Sequence, residues 1–220
     1  MTTLCAVALL MPAALVSGQV RLDEPVYIPA SHAQISYDDG TAYWLTWHGL
    51  YRGVWFNLAD FGGSGEWDAD NTEFWFYHHS SYPWDTPCFY AEVYNGDASG
   101  PMTQLDQTSV TATHYAAVYA NYSTPLICDE QFWVIVDTEL STGGWPSLLS
   151  DNTSQGVDHS FYSDDFIIWQ PWVPSTVGLA RTTWAEVKTL FDIPRYRATP
   201  GCCDYFIRTS ETFWSATGSP

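Results

Sequence analysis

Lysine is nearly missing from this chain. Lys188 stands alone, and six arginines (Arg21, Arg52, Arg181, Arg195, Arg197, Arg208) complete a basic set of 7 against 25 acids, a net charge of −18. Affinity for nucleic acid is built from Lys and Arg neutralising phosphates, so this composition excludes a nucleic-acid partner. The same sign opposes adsorption to anionic lipid. So acidic a surface suits an extracellular protein, a cation binder or a charged coat against aggregation. Long apolar runs are also missing. The run at 4–16 falls short of the ~20 apolar residues that span a bilayer, so no membrane span is expected in the mature chain.

Motifs of chemistry are missing as well. There is no HExxH or HxH spacing, no CxxC pair, no GxSxG elbow and no internal repeat. The local signatures of zinc peptidases, zinc ribbons and α/β-hydrolases are thereby removed. His78 and His79 are adjacent, and on a strand neighbours point to opposite faces, so they do not make one metal site. Glu73, Glu92, Glu130 and Glu139 lie in separate segments, and nothing selects a pair facing each other across a cleft. No catalytic residue is assigned, and the chain reads as a non-enzyme. A hydrolase site assembled in space leaves no motif and stands as an alternative.

What is present points outward from the cell. Residues 1–18 read as a signal peptide without a basic start, with Val16-Ser17-Gly18 as small residues before a cut at Gln19. Removing it leaves Cys88, Cys128, Cys202 and Cys203, an even set that suggests disulfides in an exported chain. Neighbouring cysteines rarely bridge each other, so Cys88 and Cys128 are each expected to pair with Cys202 or Cys203. A secreted or cell-surface location follows.

The chain is rich in rings, with an aromatic fraction of 17% over its 220 residues. At this size roughly 70% of the unfolded surface can be buried, so a core needs no metal. Residues 19–36 are a linker or a first strand. Runs rich in aromatic and β-branched residues follow at 43–47, 53–58, 73–77, 88–94, 108–120, 131–137, 159–162, 166–169 and 204–209. Turn signals separate them, among them Gly62-Gly63-Ser64-Gly65, Asn95-Gly96-Asp97 and Gly143-Gly144. The pattern predicts an all-β fold: an antiparallel, jelly-roll-like β-sandwich over 37–209, with 210–220 as a tail or linker. One short helix is expected at 182–191, where Trp184, Val187 and Phe191 share a face and Pro194 ends the run.

Two sets of binding candidates emerge. Rings in Pro-bearing or Gly-bearing loops, Trp84, Trp145, Trp169 and Trp172, form a candidate aromatic platform for carbohydrate. Asp38, Asp39, Asp68, Asp70, Asp164 and Asp165, mostly in turns, are candidate calcium ligands, although the strict DxDxDG loop is missing. Structural calcium is the one cofactor this pattern admits. A glycan or another surface protein is the expected partner.

An ordered series of short motifs runs along the chain. Tyr37-Asp38-Asp39-Gly40 opens it, Arg52-Gly53-Val54-Trp55-Phe56 follows, and Gly96-Asp97 turns after a strand. Then come Phe132 to Val136, Pro146 to Asp151, Ser160-Phe161-Tyr162-Ser163-Asp164-Asp165, Trp169, Pro171-Trp172, and the closing Asp204-Tyr205-Phe206-Ile207-Arg208. The series resembles accessory β-sandwich domains of secreted and surface proteins of Bacteroidetes-like and candidate bacterial phyla, of the kind found ahead of type IX secretion sorting domains. Phe161 stands where Tyr is usual, and Asp165-Phe166 replaces Asp-Gly. The resemblance implies a non-catalytic extracellular module with an adhesion, spacer or accessory role. It supplies no ligand and no catalytic residue.

Overall fold

The structure, a computed structural model, describes residues 18–28, 34–152, 158–173 and 203–211. The expected helix at 182–191, Cys202 and most of the expected signal peptide and tail lie outside the described residues. In chain order the strands are β1 (Gln19–Tyr27), β2 (Gln34–Ile35), β3 (Thr41–Thr46), β4 (Tyr51–Asn57), β5 (Trp67–Trp75), β6 (Cys88–Asp97) and β7 (Gly100–Thr111). They continue as β8 (Ala117–Cys128), β9 (Gln131–Asp137), β10 (Leu148–Ser150), β11 (Ser160–Ser163), β12 (Gln170–Pro171) and β13 (Ile207–Ser210). A single 3-10 turn, Leu58–Phe61, is the only helical element among the described residues. None of them forms a helix long and apolar enough to cross a membrane.

The chain is an all-β antiparallel sandwich. A six-stranded sheet of order β12-β11-β4-β9-β6-β7 packs on a four-stranded sheet of order β2-β13-β5-β8, and a three-stranded sheet, β1-β3-β10, flanks them. Alternation along the central strands dictates this. Val54 and Phe56 of β4, Phe89, Ala91 and Val93 of β6, and Phe132, Val134 and Val136 of β9 point inward. They meet Phe74 of β5, Val118 and Ala120 of β8, and Ile207 of β13 in one core.

At the central strands the opposite face of the six-stranded sheet is buried too. Tyr51, Trp55, Trp133, Ile135 and Phe161 form a second apolar layer, covered further by Phe166 and Trp169. Cross-strand pairs such as Trp55 opposite Trp133 and Gly53 opposite Ile135 set its register. Gly53 allows a close approach there: a Cβ at that position would lie 3.0 Å from the Ile135 side chain.

Buried ions close the fold. Arg208 on β13 donates to Asp38 at 2.6 and 2.9 Å and lies 3.3 Å from Glu73 on β5. All three side chains are almost fully buried. Glu73 also accepts from Gln34 and from the Trp75 indole. The first and last motifs of the sequence series are thus one ion pair, 170 residues apart.

The expected disulfides do not form among the described residues: Cys88 and Cys128 carry free thiols. Cys88 opens β6 opposite Thr111. Cys128 ends β8, where the next amide, Asp129, bonds Asn95 near the far end of β6. Burial pushes the Cys128 thiol up to about 12, which makes it inert.

Two strand boundaries also differ from expectation. The run at 108–120 is broken by a turn at 112–116 in which Tyr115 takes φ 50°, and the run at 166–169 is a turn in which Phe166 takes φ 64°. Neither turn contains glycine or proline, so composition gave no warning of them.

Arg208→Met is expected to cost about 3–5 kcal/mol, because it leaves Asp38 and Glu73 buried without their cation. Urea denaturation measures this; a loss below about 1 kcal/mol would show that the pair does not close the fold.

Candidate functional site

The predicted aromatic platform does not assemble. Trp172 is 2% exposed, stacks on Tyr205 at 5.6 Å and donates its indole N–H to Ser150 at 2.8 Å. It is a core residue, which corrects its assignment to a binding surface. Trp84 is half-buried against the main core, and its N–H is held by Ser147 at 2.7 Å. Trp145 stacks on Trp47 at 4.7 Å in the flanking sheet's core. Trp169 lies on Trp133 at 5.0 Å on the outer face. The four rings belong to three separate clusters because each solves a local packing problem.

The calcium candidates are scattered as well. Asp38 is engaged by Arg208. Asp39 accepts from the Thr41 amide, and Asp165 accepts from the Ile167 and Ile168 amides, as Asp does in turns. Asp68 and Asp70 lie on β5, and Asp164 is an exposed neighbour of Asp165. Among the described residues no group of three or more His, Cys, Asp or Glu side chains is arranged to hold a metal ion.

A different site appears at the rim of the flanking sheet. β1 pairs with β3 from Gln19 to Arg21 and again at Val26 and Tyr27. Between them the four residues 22–25 of β1 stand opposite Tyr43 alone. Pro25 has no N–H to give the ladder, and the excess chain bulges outward, carrying Asp23 and Glu24 with it. The facing wall is the 77–82 segment. Tyr82 donates its amide to the His79 carbonyl at 2.9 Å, and Ser81 donates its amide to His79 Nδ1 at 3.1 Å. His79 Nδ1 is therefore an acceptor, which leaves Nε2 to carry the proton.

Between these walls runs a groove of about 540 Å³. Tyr77, His79 and Tyr82 present rings to it, and Arg21, Asp23 and Glu24 present charge. Tyr82 is backed by Trp47 at 4.9 Å, which in turn carries Trp145. Gly144 permits that stack, since a Cβ there would sit 2.4 Å from the Trp47 carbonyl oxygen at a φ of +76°. The groove's size lies in the ~300–1,000 Å³ range of small-molecule sites. Its mixture of ring faces and hydrogen-bonding groups suits a polyhydroxylated ligand.

Sequence reasoning missed Tyr77, His79, Tyr82, Arg21, Asp23 and Glu24. A usable signal was Asp23-Glu24-Pro25, which interrupts strand alternation and marks a bulge.

A second polar cluster lies on the outer face of the six-stranded sheet. Tyr90 opposes Asp137 and Glu92 opposes Ile135, so the carboxylates of Glu92 and Asp137 are diagonal neighbours. Gln107 donates to Glu92 at 2.7 Å and the Tyr94 hydroxyl at 3.3 Å; the Tyr51 hydroxyl donates to nearby Glu139. Burial first, then the charge of Asp137, pushes Glu92 up to about 7. Burial likewise pushes Asp137 up to about 6. Neither residue lines the groove, and both are nearly inaccessible, so this pair is a buried acid contact and not an open reaction site.

Comparison with protein-family models, with curated proteins and with solved structures finds no match. The geometry of the chain itself therefore carries the functional reading.

The acid pair has a measurable consequence. A carboxyl whose folded pKa is raised stabilises the fold below its unfolded pKa, and that contribution is lost as pH rises through the folded value. For Glu92 the loss falls between about 4.5 and about 7. His48 and His159, held below their ordinary value by burial, work in the opposite sense, so a variant comparison isolates the carboxyl. Glu92→Gln is expected to gain stability relative to the parent as pH rises from 5 to 8. A pH-independent difference in melting temperature would contradict the burial-driven shift.

Proposed function

We propose that this chain is a non-catalytic extracellular β-sandwich module that holds a glycan in the groove between β1 and the 77–82 segment. Its role is adhesive or accessory within a larger secreted or surface protein. The groove is the observation that carries this reading: three aromatic or imidazole rings opposite two carboxylates and a guanidinium. Tyrosine faces stack on sugar rings, and Asp, Glu and Arg satisfy hydroxyls. The apolar leader at 1–18 supports export. The resemblance to accessory domains of surface proteins implies the same class of role. The net charge of −18 favours neutral glycans over sulfated or uronate-rich ones.

Binding to a panel of neutral oligosaccharides, measured by calorimetry, tests the proposal. Tyr77→Ala and Asp23→Asn are each expected to weaken the bound member at least tenfold while melting stays near the parent's. Trp172→Ala is expected to cost about 3–5 kcal/mol of stability, as for a large buried ring. No binding across the panel, or binding that survives both groove variants, would overturn the assignment.

A further inference from the structure

At the end of the sandwich away from the flanking sheet's groove lies a second cleft, of about 290 Å³. Leu58 and Phe61 of the 3-10 turn, Ile35 of β2 and Trp67 of β5 make its walls. Two of the wall rings are tethered. Trp67 is tethered through its indole N–H to Thr209 at 3.2 Å, and Phe61 packs on Tyr37 at 4.9 Å. Glu66 and Glu211 also line the cleft, and no lysine or arginine is among its lining residues. The half-buried Glu211 carboxylate accepts from the Asp68 backbone, and its Oε2 has no hydrogen-bond partner. Asp68 and Asp70 add negative charge nearby, and burial together with these neighbours raises the Glu211 pKa.

An apolar, ring-walled cleft that ends in carboxylates complements a cation on an aliphatic stem. The stem packs on the walls, the ring faces attract the charge, and the carboxylates pair with it. The chain itself has only 7 basic residues and a net charge of −18, so a second copy is a poor source of that cation. We propose that this cleft is a docking site for a lysine or arginine side chain of a basic partner protein. It is separate from the groove and does not depend on the glycan reading.

Short capped peptides centred on lysine or arginine, titrated against the full chain by Trp fluorescence and calorimetry, test this. Norleucine and citrulline peptides serve as uncharged counterparts. The expected result is binding of a basic peptide at least tenfold tighter than its neutral counterpart. That binding should weaken at least fivefold in Glu211→Gln or in Glu66→Gln, fall in 0.5 M salt, and be unchanged in the groove variant Tyr77→Ala. Equal binding of charged and neutral peptides would make the cleft merely apolar and overturn the proposal. So would no binding of either, or loss of binding in Tyr77→Ala with neither glutamate variant having an effect.

Discussion

The central strands of the six-stranded sheet, β4 and β9, are buried on both faces, and the rest of the molecule is arranged around that constraint. An ordinary sandwich leaves the outer face of each sheet to water. Here β4 and β9 read as nearly continuous buried strands. The inner face meets the four-stranded sheet, and the outer face carries Trp55, Trp133, Phe161, Phe166 and Trp169. This explains the high aromatic content: the rings supply two layers rather than a surface platform. It also explains why polar groups on these faces, such as Glu92 and Asp137, are drawn into shifted ionisation instead of being offered to a ligand.

The ordered motifs have a structural meaning in this arrangement. Ser160 donates to Asp204, and the Tyr205 amide donates back to Ser160. Asp151 accepts from the amides of Asp204 and Asp39. Trp172 is fixed on Ser150, and Asp38 holds Arg208. Most of these polar groups pair with one another in the interior, as buried polar groups generally do, while Asp204 Oδ2 and the Tyr205 hydroxyl are buried without a partner. Their chemistry is consumed in closing the chain ends onto the core. The two concave features lie at the rims, the groove beside the β1 bulge and the second cleft beside the 3-10 turn.

The strands were the legible part of the sequence. Near-continuous runs of large apolar residues mark β4 and β9, because both faces of those strands are covered. The same richness hides the difference between core and surface rings: Trp172 and Tyr82 both sit beside proline, yet one is enclosed and the other borders a groove. The turns at Tyr115 and Phe166 are illegible because tertiary packing, not glycine, holds their positive φ. Phe166 is wedged between Tyr51 and Tyr94 at 5.0 and 5.2 Å. The even cysteine count leaves pairing open because parity says nothing about distance. The groove needs two segments some 55 residues apart, and only the register of β1 on β3 brings them together.

The claim that function lies at the rim while the sheet faces are structural is tested most directly by amide and aromatic NMR shifts during titration with a bound neutral oligosaccharide. The account predicts perturbations confined to residues 20–26 and 77–82, with Trp47 moving through its contact with Tyr82. Perturbations centred on Trp133, Phe166 and Trp169, with the rim unmoved, would contradict it.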